Sequence, residues 1–363
     1  MIRALERDDL EDVVRLYNLV MRSGVGVPPR FLEPFFRRTL FDHPWADPEI
    51  PSLAYVDGSR LLGFLGSNVR RMTFDGRPIR VGCAAHLVTH PSVRDTAAGP
   101  QLVRRYLGGP QELTMTDGAS ETVRRMWEAL RGQTVHTACF VFVIVLRPWQ
   151  FVREIGLGGR LGRRGEVLSV SMMRALDVAT GPIAGNVLAL PERPSTRVEE
   201  LTPSAVLEHL PGLEGRRLLP DYDASYLSWL FAEVDRLRQW GSLWPRGIRR
   251  GGLFAQLVTS NDRIEGWYVC NLRPGGICRV VQIAARKRSA GAVIDTLVHE
   301  ALRRGAAAVY GRMEPDLVGP LSERRCLVRY GGGRMVVHSN AREIVDAIIS
   351  GEALLTRLDG EWW

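Results

Sequence analysis

An internal repeat limits the folds that this chain can adopt. Near the start, the short apolar segment Ile2–Leu5 is followed by an acidic stretch, Asp8–Asp12, of the kind that opens a helix. The second half repeats this order with Arg197–Leu201 and then Thr202–Ser204, where a proline suits an early helical position. Both halves therefore predict a strand followed by a capped helix, as expected of a duplicated unit.

The repeat continues along both halves. Leu53–Ser67 and Leu257–Cys270 each predict two strands around a tight turn. In each half an apolar strand then leads into an amphipathic helix. These strand–helix pairs are Val81–Thr89 with Gly99–Leu107 and Arg279–Ala284 with Gly291–Arg304.

The turn within the first strand–helix pair has the properties of an anion site. It runs from His86-Leu87-Val88-Thr89-His90-Pro91 through a short Arg/Asp/Thr/Ala/Gly segment into the helix. Free backbone N–H groups and the positive end of a helix dipole meet at such a turn, which suits a phosphate. The pattern Arg94-x-x-Ala97-x-Gly99 resembles the pyrophosphate loop of the GNAT acyltransferase superfamily, with Ala97 where glycine is usual.

The order helix, hairpin, strand and helix in both halves also resembles this superfamily, in a tandem arrangement. The resemblance implies an α+β fold of two GNAT-like domains, each a twisted mixed β-sheet flanked by helices. We expect a first, acyl-CoA-binding domain at 1–155, a linker region at 156–196 and a second domain at 197–363. Residues 166–178, within the linker region, are predicted to form a strand.

The activity that the resemblance implies is acyl-CoA-dependent N-acyl transfer, in which an amine attacks the thioester directly. The acyl group is acetyl or longer, the donor is acyl-CoA or an acyl-carrier thioester, and the acceptor is a small-molecule or peptide amine. Strands Val81–Thr89 and Leu113–Thr116 are then expected to diverge and admit the pantetheine arm. The implied donor-binding residues are Leu87, Val88 and Thr89 for pantetheine, and Arg94, Asp95, Thr96, Ala97, Ala98, Gly99 and Pro100 for pyrophosphate.

The second copy of the loop departs from this pattern. In Arg286–Val293 the bulky Val293 is aligned with Gly99, and a side chain there hinders the approach of a phosphate to the backbone. Three basic residues in the same segment are an alternative way to hold phosphates. We favour the first half as the donor site and interpret the second as a duplicated scaffold.

Three residues are candidates for proton transfer. His86 lies near the end of the fourth strand and Asp117 follows the fifth, while the resemblance to some tandem enzymes suggests the terminal carboxylate of Trp363 as a base. Each has a structural alternative: a hydrogen-bonded histidine at a strand end, a helix cap near Ser120, and a terminal tryptophan packed into the core.

The helix after the fifth strand departs from the family pattern. Many GNAT enzymes carry Asn-x-x-Ala-x-x-x-Tyr there, and the tyrosine protonates the departing thiolate. The aligned residues here are Ser120-x-x-Val123-x-x-x-Trp127, and an indole does not supply that proton in the same way. The alternative function is therefore a catalytically weak CoA- or ligand-binding protein, or a scaffold.

Composition excludes several other classes. The five cysteines are scattered without ligand spacing, so neither a metal site nor a disulfide framework is expected. Lys287 is the only lysine, which argues against Schiff-base chemistry and a lysine-bearing phosphate loop. The net charge of +8 comes without a nucleic-acid motif, so binding to nucleic acid is not favoured. With neither a leader nor a long apolar run, we expect a cytoplasmic protein without a membrane span, with a homodimer left open.

Overall fold

The protein folds as an α+β structure with two mixed sheets flanked by helices. In the computed structural model the described residues are 1–21, 29–156, 172–173, 175–179, 194–210, 213, 215–240, 252–272, 275–286 and 288–358. The chain divides into two compact units. The first contains residues 1–136, 217–226 and 332–353, and the second contains 137–216, 227–331 and 354–363.

Most of the described chain lies in strands and helices of ordinary length. The strands are β1 (Ile2–Ala4), β2 (Leu53–Asp57), β3 (Arg60–Phe74), β4 (Arg77–Thr89), β5 (Leu113–Ala119), β6 (Gln133–Thr134), β7 (Phe140–Val145), β8 (Arg197–Glu200), β9 (Leu218–Pro220), β10 (Gly252–Ser260), β11 (Arg263–Leu272), β12 (Ile277–Ala285), β13 (Ala308–Arg312), β14 (Leu327–Tyr330) and β15 (Arg334–His338). The helices are α1 (Leu10–Met21), α2 (Pro29–Leu40), α3 (Ala98–Leu107), α4 (Glu121–Ala129), α5 (Pro148–Gly156), α6 (Pro203–His209), α7 (Ala224–Trp240), α8 (Ala290–Arg303), α9 (Val318–Ser322) and α10 (Arg342–Ser350).

The two sheets have the same pattern of strand directions. The first has the order β1-β2-β3-β4-β5-β15-β6, with β9 added to β3, and the second has the order β14-β7-β13-β12-β11-β10-β8. In the first sheet β4 and β5 are parallel, and the other neighbours are antiparallel. In the second sheet the parallel pair is β12 and β13. The predicted fold class is confirmed.

Each sheet contains a strand from the other half of the chain. The apolar segment at β7 lies between β13 and β14 in the second sheet, and β15 lies between β5 and β6 in the first. β15 is the second strand from the end of the first sheet, and β7 is the second strand from the corresponding end of the second sheet. Each copy of the repeat thus supplies this strand to the sheet of the other copy. The contiguous ranges 1–155 and 197–363 expected from the sequence do not include this exchange.

Local capping explains where several helices begin. The Glu6 N–H donates to Asp9 Oδ2 at 2.8 Å, which closes a capping box ahead of α1. The Ala205 N–H donates to Thr202 Oγ1 at 3.2 Å, and Pro203 is the first residue of α6. Both helix starts were predicted from the repeat.

The linker segment differs from its prediction. Within 166–178, predicted as a strand, residues 172–173 and 175–178 are helical, and the others lie outside the described residues. Asp177 caps α5 instead: its Oδ1 and Oδ2 accept the backbone N–H groups of Trp149 at 2.9 Å and Gln150 at 3.2 Å.

The core of the first unit lies between its sheet and the pair α3 and α4. Its buried members come from strands β2, β3, β5 and β15, from both helices and from the loop before β2. They are Ile50, Leu53, Leu65, Val69, Leu102, Val103, Tyr106, Ala119, Trp127 and Val336. A strand encoded near the end of the chain thus helps to hold α3 and α4 in place.

Shortening Val336 tests the exchanged strand. Val336 is fully buried in the first core and is opposite Thr116 of β5 and Thr134 of β6. We expect Val336→Ala to lower the free energy of unfolding by about 2 kcal/mol because it removes two buried methyl groups. Urea denaturation followed by circular dichroism measures this change. Arg342→Ala, whose side chain is 91% exposed, is the control and should stay close to the wild type. Equal stability of the two variants would contradict the placement of β15.

Candidate functional site

The parallel strands β4 and β5 separate part-way along their length. Their register pairs are Val81–Leu113, Gly82–Thr114 and Cys83–Met115. Beyond these pairs, residues 84–89 of β4 and 116–119 of β5 are not paired with each other, although β4 stays paired with β3 and β5 with β15. The sheet therefore opens at the edge where both strands end, as the resemblance implied.

A bulge interrupts β4 within this open section. Val88 is opposite Phe64 and Ala85 is opposite Gly66, so two residues, His86 and Leu87, correspond to one residue of β3. His86 has a φ of 52°, a left-handed conformation that is uncommon for a residue with a side chain. A bulge re-aims the side chains next to it, and strained backbone of this kind concentrates at functional sites.

Aromatic side chains surround the His86 ring. The ring lies edge-on to Tyr17 at 5.7 Å, Phe35 at 6.1 Å and Phe36 at 5.4 Å between centroids. Loss of water around the ring lowers the pKa of His86 from 6.5 to about 4. The imidazole is therefore neutral at pH 7 and weakly basic, which does not suit the role of a general base considered for it from the sequence.

The loop after β4 is shaped by its own polar side chains. The Ser92 N–H donates to His90 Nδ1 at 3.1 Å, at the start of a short helical turn, Pro91–Val93. The hydroxyl of Thr96 donates to the Val93 carbonyl at 2.7 Å and accepts the Ala98 N–H at 3.2 Å. His90 and Thr96 therefore stabilise the conformation of the loop.

Backbone donors remain at the junction of this loop and α3. Within the described part of the chain, the N–H groups of Asp95, Ala97 and Gly99 donate no hydrogen bond, and Pro100 has none to donate. The helix dipole adds partial positive charge at the same point. The junction therefore has the chemistry of an anion site.

Packing does not require the glycine at position 99. A Cβ placed there would lie 3.7 Å from Met126 Cε and 3.9 Å from Thr89 Cγ2, which are ordinary contacts. The φ angle of Gly99 is not positive either. The lack of a side chain instead leaves room for a ligand to approach the start of the helix.

A cleft of about 830 Å³ lies between α3 and α4. Both helices begin at the same sheet edge because β4 and β5 are parallel, so the cleft starts beside the loop. Its lining residues are Ala97, Pro100, Gln101, Arg104, Glu121, Thr122, Arg125, Met126, Ala129 and Leu130. We call this the α3–α4 groove.

Positive charge surrounds the groove. Arg94, Arg104 and Arg105 are exposed, and among the residues that the structure describes none of them forms an ion pair. Glu121 bonds with Arg124 and Arg125, and these hydrogen bonds lower its pKa to about 2. Glu121, the carboxylate among the groove-lining residues, is thus ionised, and its negative charge is balanced by two neighbouring arginines.

Solved structures of similar fold match most of the chain. A GCN5-related N-acetyltransferase from Kribbella flavida matches with a TM-score of 0.54 and 16% identity, over 93% of this chain and 70% of its own. A protein of unknown function from Enterococcus faecalis V583, described as a probable N-acyltransferase, matches with a TM-score of 0.55 and 9% identity, over 93% and 72%. A GCN5-related N-acetyltransferase from Anabaena variabilis matches with a TM-score of 0.53 and 10% identity over the same shares.

This chain has the GNAT fold. No protein-family model and no curated protein matches its sequence. The identities to the solved structures are low, so the similarity is one of fold. The open strand pair, with the loop and groove beside it, is the candidate site within that fold.

The structure places Asp117 differently from the sequence prediction. Asp117 lies within β5, opposite Met335 of β15, rather than after the strand. The cap of α4 is Ser120, whose Oγ accepts the Val123 N–H at 3.3 Å, so Asp117 does not have that role. Asp117 belongs to the section of β5 that has separated from β4.

Trp127 packs away from the groove. It is fully buried in the first core, while the groove-facing residues of α4 are Glu121, Thr122, Arg125, Met126 and Ala129. At the position where many GNAT enzymes carry a tyrosine that acts as general acid, the side chain of this protein therefore points into the core. Trp363, the third candidate for proton transfer, lies outside the described residues.

The corresponding loop of the second unit is shorter by half. Four residues, 286–289, connect β12 to α8, compared with eight, 90–97, between β4 and α3. Gly291 is the second residue of α8, as Gly99 is of α3, so the alignment of Val293 with Gly99 is wrong by two positions. Val293 is instead a fully buried core residue of its helix.

A side chain covers the start of α8. Arg324 donates to the Gly291 carbonyl at 3.0 Å and bonds both carboxylate oxygens of Asp295, at 2.7 and 2.6 Å. A Cβ added to Gly291 would lie 3.0 Å from the Arg324 guanidinium. The first turn of α8 is thus occupied by the protein itself, which favours the first unit as the ligand site.

The outer part of the groove was missed by sequence reasoning. Gln101 and Arg104 follow Ala97 at helical spacing, so one face of α3 was readable from the sequence. Arg125 and Met126 could be placed opposite only once α4 was known to run beside α3. The residue spacing along α3 alone does not show which face of that helix lies opposite α4.

None of the helices that the structure describes combines the length and apolar content needed to cross a bilayer. Across the same described residues, no cluster of three or more histidine, cysteine or acidic side chains is placed to hold a metal ion.

The burial of His86 predicts a specific dependence of stability on pH. The folded pKa of about 4 lies below the unfolded value of 6.5, so the unfolded state takes up a proton first as the pH falls. Stability is therefore lost below about pH 6.5, and the loss is complete below about pH 4. Between pH 7 and 5 we expect this histidine to account for about 2 kcal/mol of lost unfolding free energy.

His86→Asn tests this assignment, because asparagine tolerates a positive φ and does not titrate. Denaturant unfolding between pH 7 and 5 should show a shallower loss in this variant than in the wild type. The control is His136→Asn, which removes an exposed histidine and should keep the full loss. Parallel pH curves for the wild type and His86→Asn would contradict the burial of a neutral ring.

Proposed function

We propose that this protein is an acyl-CoA-dependent N-acyltransferase whose donor site lies in the first unit. The observation that carries the proposal is the opening between β4 and β5 beside free backbone N–H groups at the start of α3. An opening in the sheet suits a narrow, extended arm such as pantetheine, and free N–H groups at a helix start suit its pyrophosphate. The solved GNAT-fold structures described as N-acetyltransferases support the same reading.

Residues of β4 and of the loop that follows it would bind different parts of the donor. Leu87, Val88 and Thr89 lie on the section of β4 that is not paired with β5. They would contact the pantetheine arm, with a strand N–H group polarising the thioester carbonyl. The N–H groups of Ala97 and Gly99 and the guanidinium of Arg94 would hold the pyrophosphate. Held in this way, the donor meets an attacking amine as if at very high local concentration.

Transfer also requires proton movements. The amine nitrogen bonds to the thioester carbonyl carbon, the carbon–sulfur bond breaks, one nitrogen proton passes to a base, and the thiolate takes up a proton. We assign the base to Asp117, because it lies on the open section of β5 and His86 is a weak base. His86 would then act as a neutral hydrogen-bonding group. The Trp363 carboxylate stays the alternative base.

A second function, donor or ligand binding without turnover, is favoured by one observation. Trp127 is packed in the core at the position where a tyrosine would protonate the thiolate. A protein without that acid would still bind CoA through the loop and the groove. Measurements of binding and of turnover therefore separate the two candidates.

Gly99→Ala tests the donor site. The free protein should fold as well as the wild type or slightly better, because alanine fits and favours a helix. We expect its affinity for acetyl-CoA to fall by about tenfold or more, since the methyl group stands between the backbone and the phosphates. A thermal-shift titration with acetyl-CoA reads out both properties.

Arg105→Ala is the control for this titration, because Arg105 is exposed on the same helix but does not line the groove. It should bind acetyl-CoA like the wild type. Wild-type affinity of Gly99→Ala for acetyl-CoA would contradict phosphate binding at the start of α3.

Asp117→Asn tests catalysis. With acetyl-, octanoyl- or palmitoyl-CoA and a panel of amines, we expect thiol release to slow by a factor of about 100 or more, because a general base contributes that much. Donor affinity and melting temperature should stay close to the wild type, which separates loss of the base from loss of the fold. Asp346→Asn, an exposed change on α10, is the control. Unchanged turnover in Asp117→Asn would exclude this base, and no turnover in the wild type would favour the binding function.

A further inference from the structure

Helix α5 exposes apolar residues and buries polar ones. Trp149, Val152 and Ile155 follow one another at a spacing of three, so they form a single stripe along the helix. Their exposed fractions are 40%, 56% and 64%. Among the described residues of α5, the buried ones are Gln150 and Arg153, each 3% exposed. A helix on the surface of a soluble protein ordinarily has the opposite arrangement.

Polar contacts hold α5 on its own unit. Arg153 donates to the Gly275 carbonyl at 3.0 Å, and its side chain is 2% exposed. Arg147, just before the helix, donates to the carbonyls of Ala306 at 2.7 Å and Leu302 at 2.9 Å. The exposed apolar stripe therefore does not serve to attach α5 to the rest of the unit.

The helical residues among 172–179 extend this apolar surface. Asp177 accepts two backbone N–H groups from the first turn of α5, so the segment adjoins the start of that helix. Met172 and Leu176, four residues apart on one helical face, are 57% and 37% exposed, and Val178 is 75% exposed. We call the exposed apolar side chains of the two segments the α5 patch: Trp149, Val152, Ile155, Met172, Leu176 and Val178.

The α5 patch has the size of an interface. In the described part of the chain fifteen large apolar residues are exposed, and six of them belong to this patch. Together the six expose roughly 400 Å² of apolar side-chain surface. A standard protein interface covers about 800 Å² on each partner, a little over half of it apolar. The patch therefore supplies most of the apolar area that one side of a stable dimer requires.

The charges of α5 favour a protein partner over a lipid surface. Helices that lie in a membrane interface carry lysine or arginine on an exposed polar face. The basic residue of α5 is Arg153, which is buried, and the acidic one, Glu154, has a side chain 16% exposed that pairs with it at 3.2 Å. The exposed stripe of α5 therefore carries no charged side chain, and two such stripes can meet without opposing like charges.

We propose that the α5 patch is the interface between two copies of this chain related by a two-fold axis. In such a dimer the same patch covers itself, and two-fold dimers are the commonest assemblies of soluble proteins. Trp149 supplies an aromatic side chain of the kind that contributes most to binding energy. This interface does not depend on the proposed function.

Charge placed in the α5 patch tests the interface. Light scattering after size exclusion should give twice the mass of one chain for the wild type. We expect Val152→Glu/Ile155→Glu to raise the dissociation constant of the dimer by about 100-fold or more, because two apolar contacts become facing carboxylates. Sedimentation equilibrium measures this constant. Leu19→Glu, a matched change at a residue of α1 that is 50% exposed, is the control and should leave the constant unchanged.

Cross-linking locates the contact independently. Trp149, Val152 and Ile155 are replaced by cysteine one at a time and treated with a short bis-maleimide. We expect a covalent dimer from at least one of these variants, and none from Leu19→Cys or the wild type, whose cysteines are buried or half-buried.

A monomeric wild type overturns the interface, as does an unchanged dissociation constant in the double glutamate variant or the lack of a covalent dimer from all three cysteine variants. A monomer that binds phosphatidylglycerol vesicles, and loses this binding in the glutamate variant, assigns the patch to a lipid surface instead. A circular dichroism spectrum like that of the wild type shows that the glutamate variant keeps the fold.

Discussion

The short parallel pairing between β4 and β5 determines the geometry of the site. Three register pairs, ending at Cys83 and Met115, hold the strands together, and because they are parallel, α3 and α4 begin at the same sheet edge. Beyond these pairs each strand keeps its other neighbour, β3 for β4 and β15 for β5, so only the backbone groups that face the opening are unpaired between strands. The opening is thus stable because each strand has a second partner.

The second partner of β5 comes from the far end of the chain. Thr116 is opposite Val336, more than two hundred residues later, and Val336 also joins the core that supports α3 and α4. A contact of such long range closes a large loop, so it is expected to form late in folding. The candidate site in the first unit therefore depends on residues encoded in the second half, which couples the two copies of the repeat.

Features that depend on local residues were predictable from the sequence, and those that depend on distant partners were not. The cap at Thr202 and the loop leading into Gly99 follow from neighbouring residues. The exchange of β7 and β15 was not readable, because a short apolar strand fits either sheet. The low pKa of His86 depends on aromatic rings from helices α1 and α2, which the sequence does not place beside it. The alignment of Val293 with Gly99 was wrong because the loop before α8 is four residues shorter than the loop before α3.

The two copies of the repeat use corresponding positions in different ways. His86 is three residues before the end of β4, and Gln282 is three residues before the end of β12. Gln282 is buried and accepts the indole N–H of Trp267 at 2.8 Å, while a side chain, Arg324, covers the start of the helix that follows. In the second unit the Gln282 amide oxygen and the start of the helix are therefore both occupied by other groups of the protein. In the first, the backbone N–H groups at the junction of the long loop and α3 stay available, so only the first copy keeps the chemistry of an anion site there.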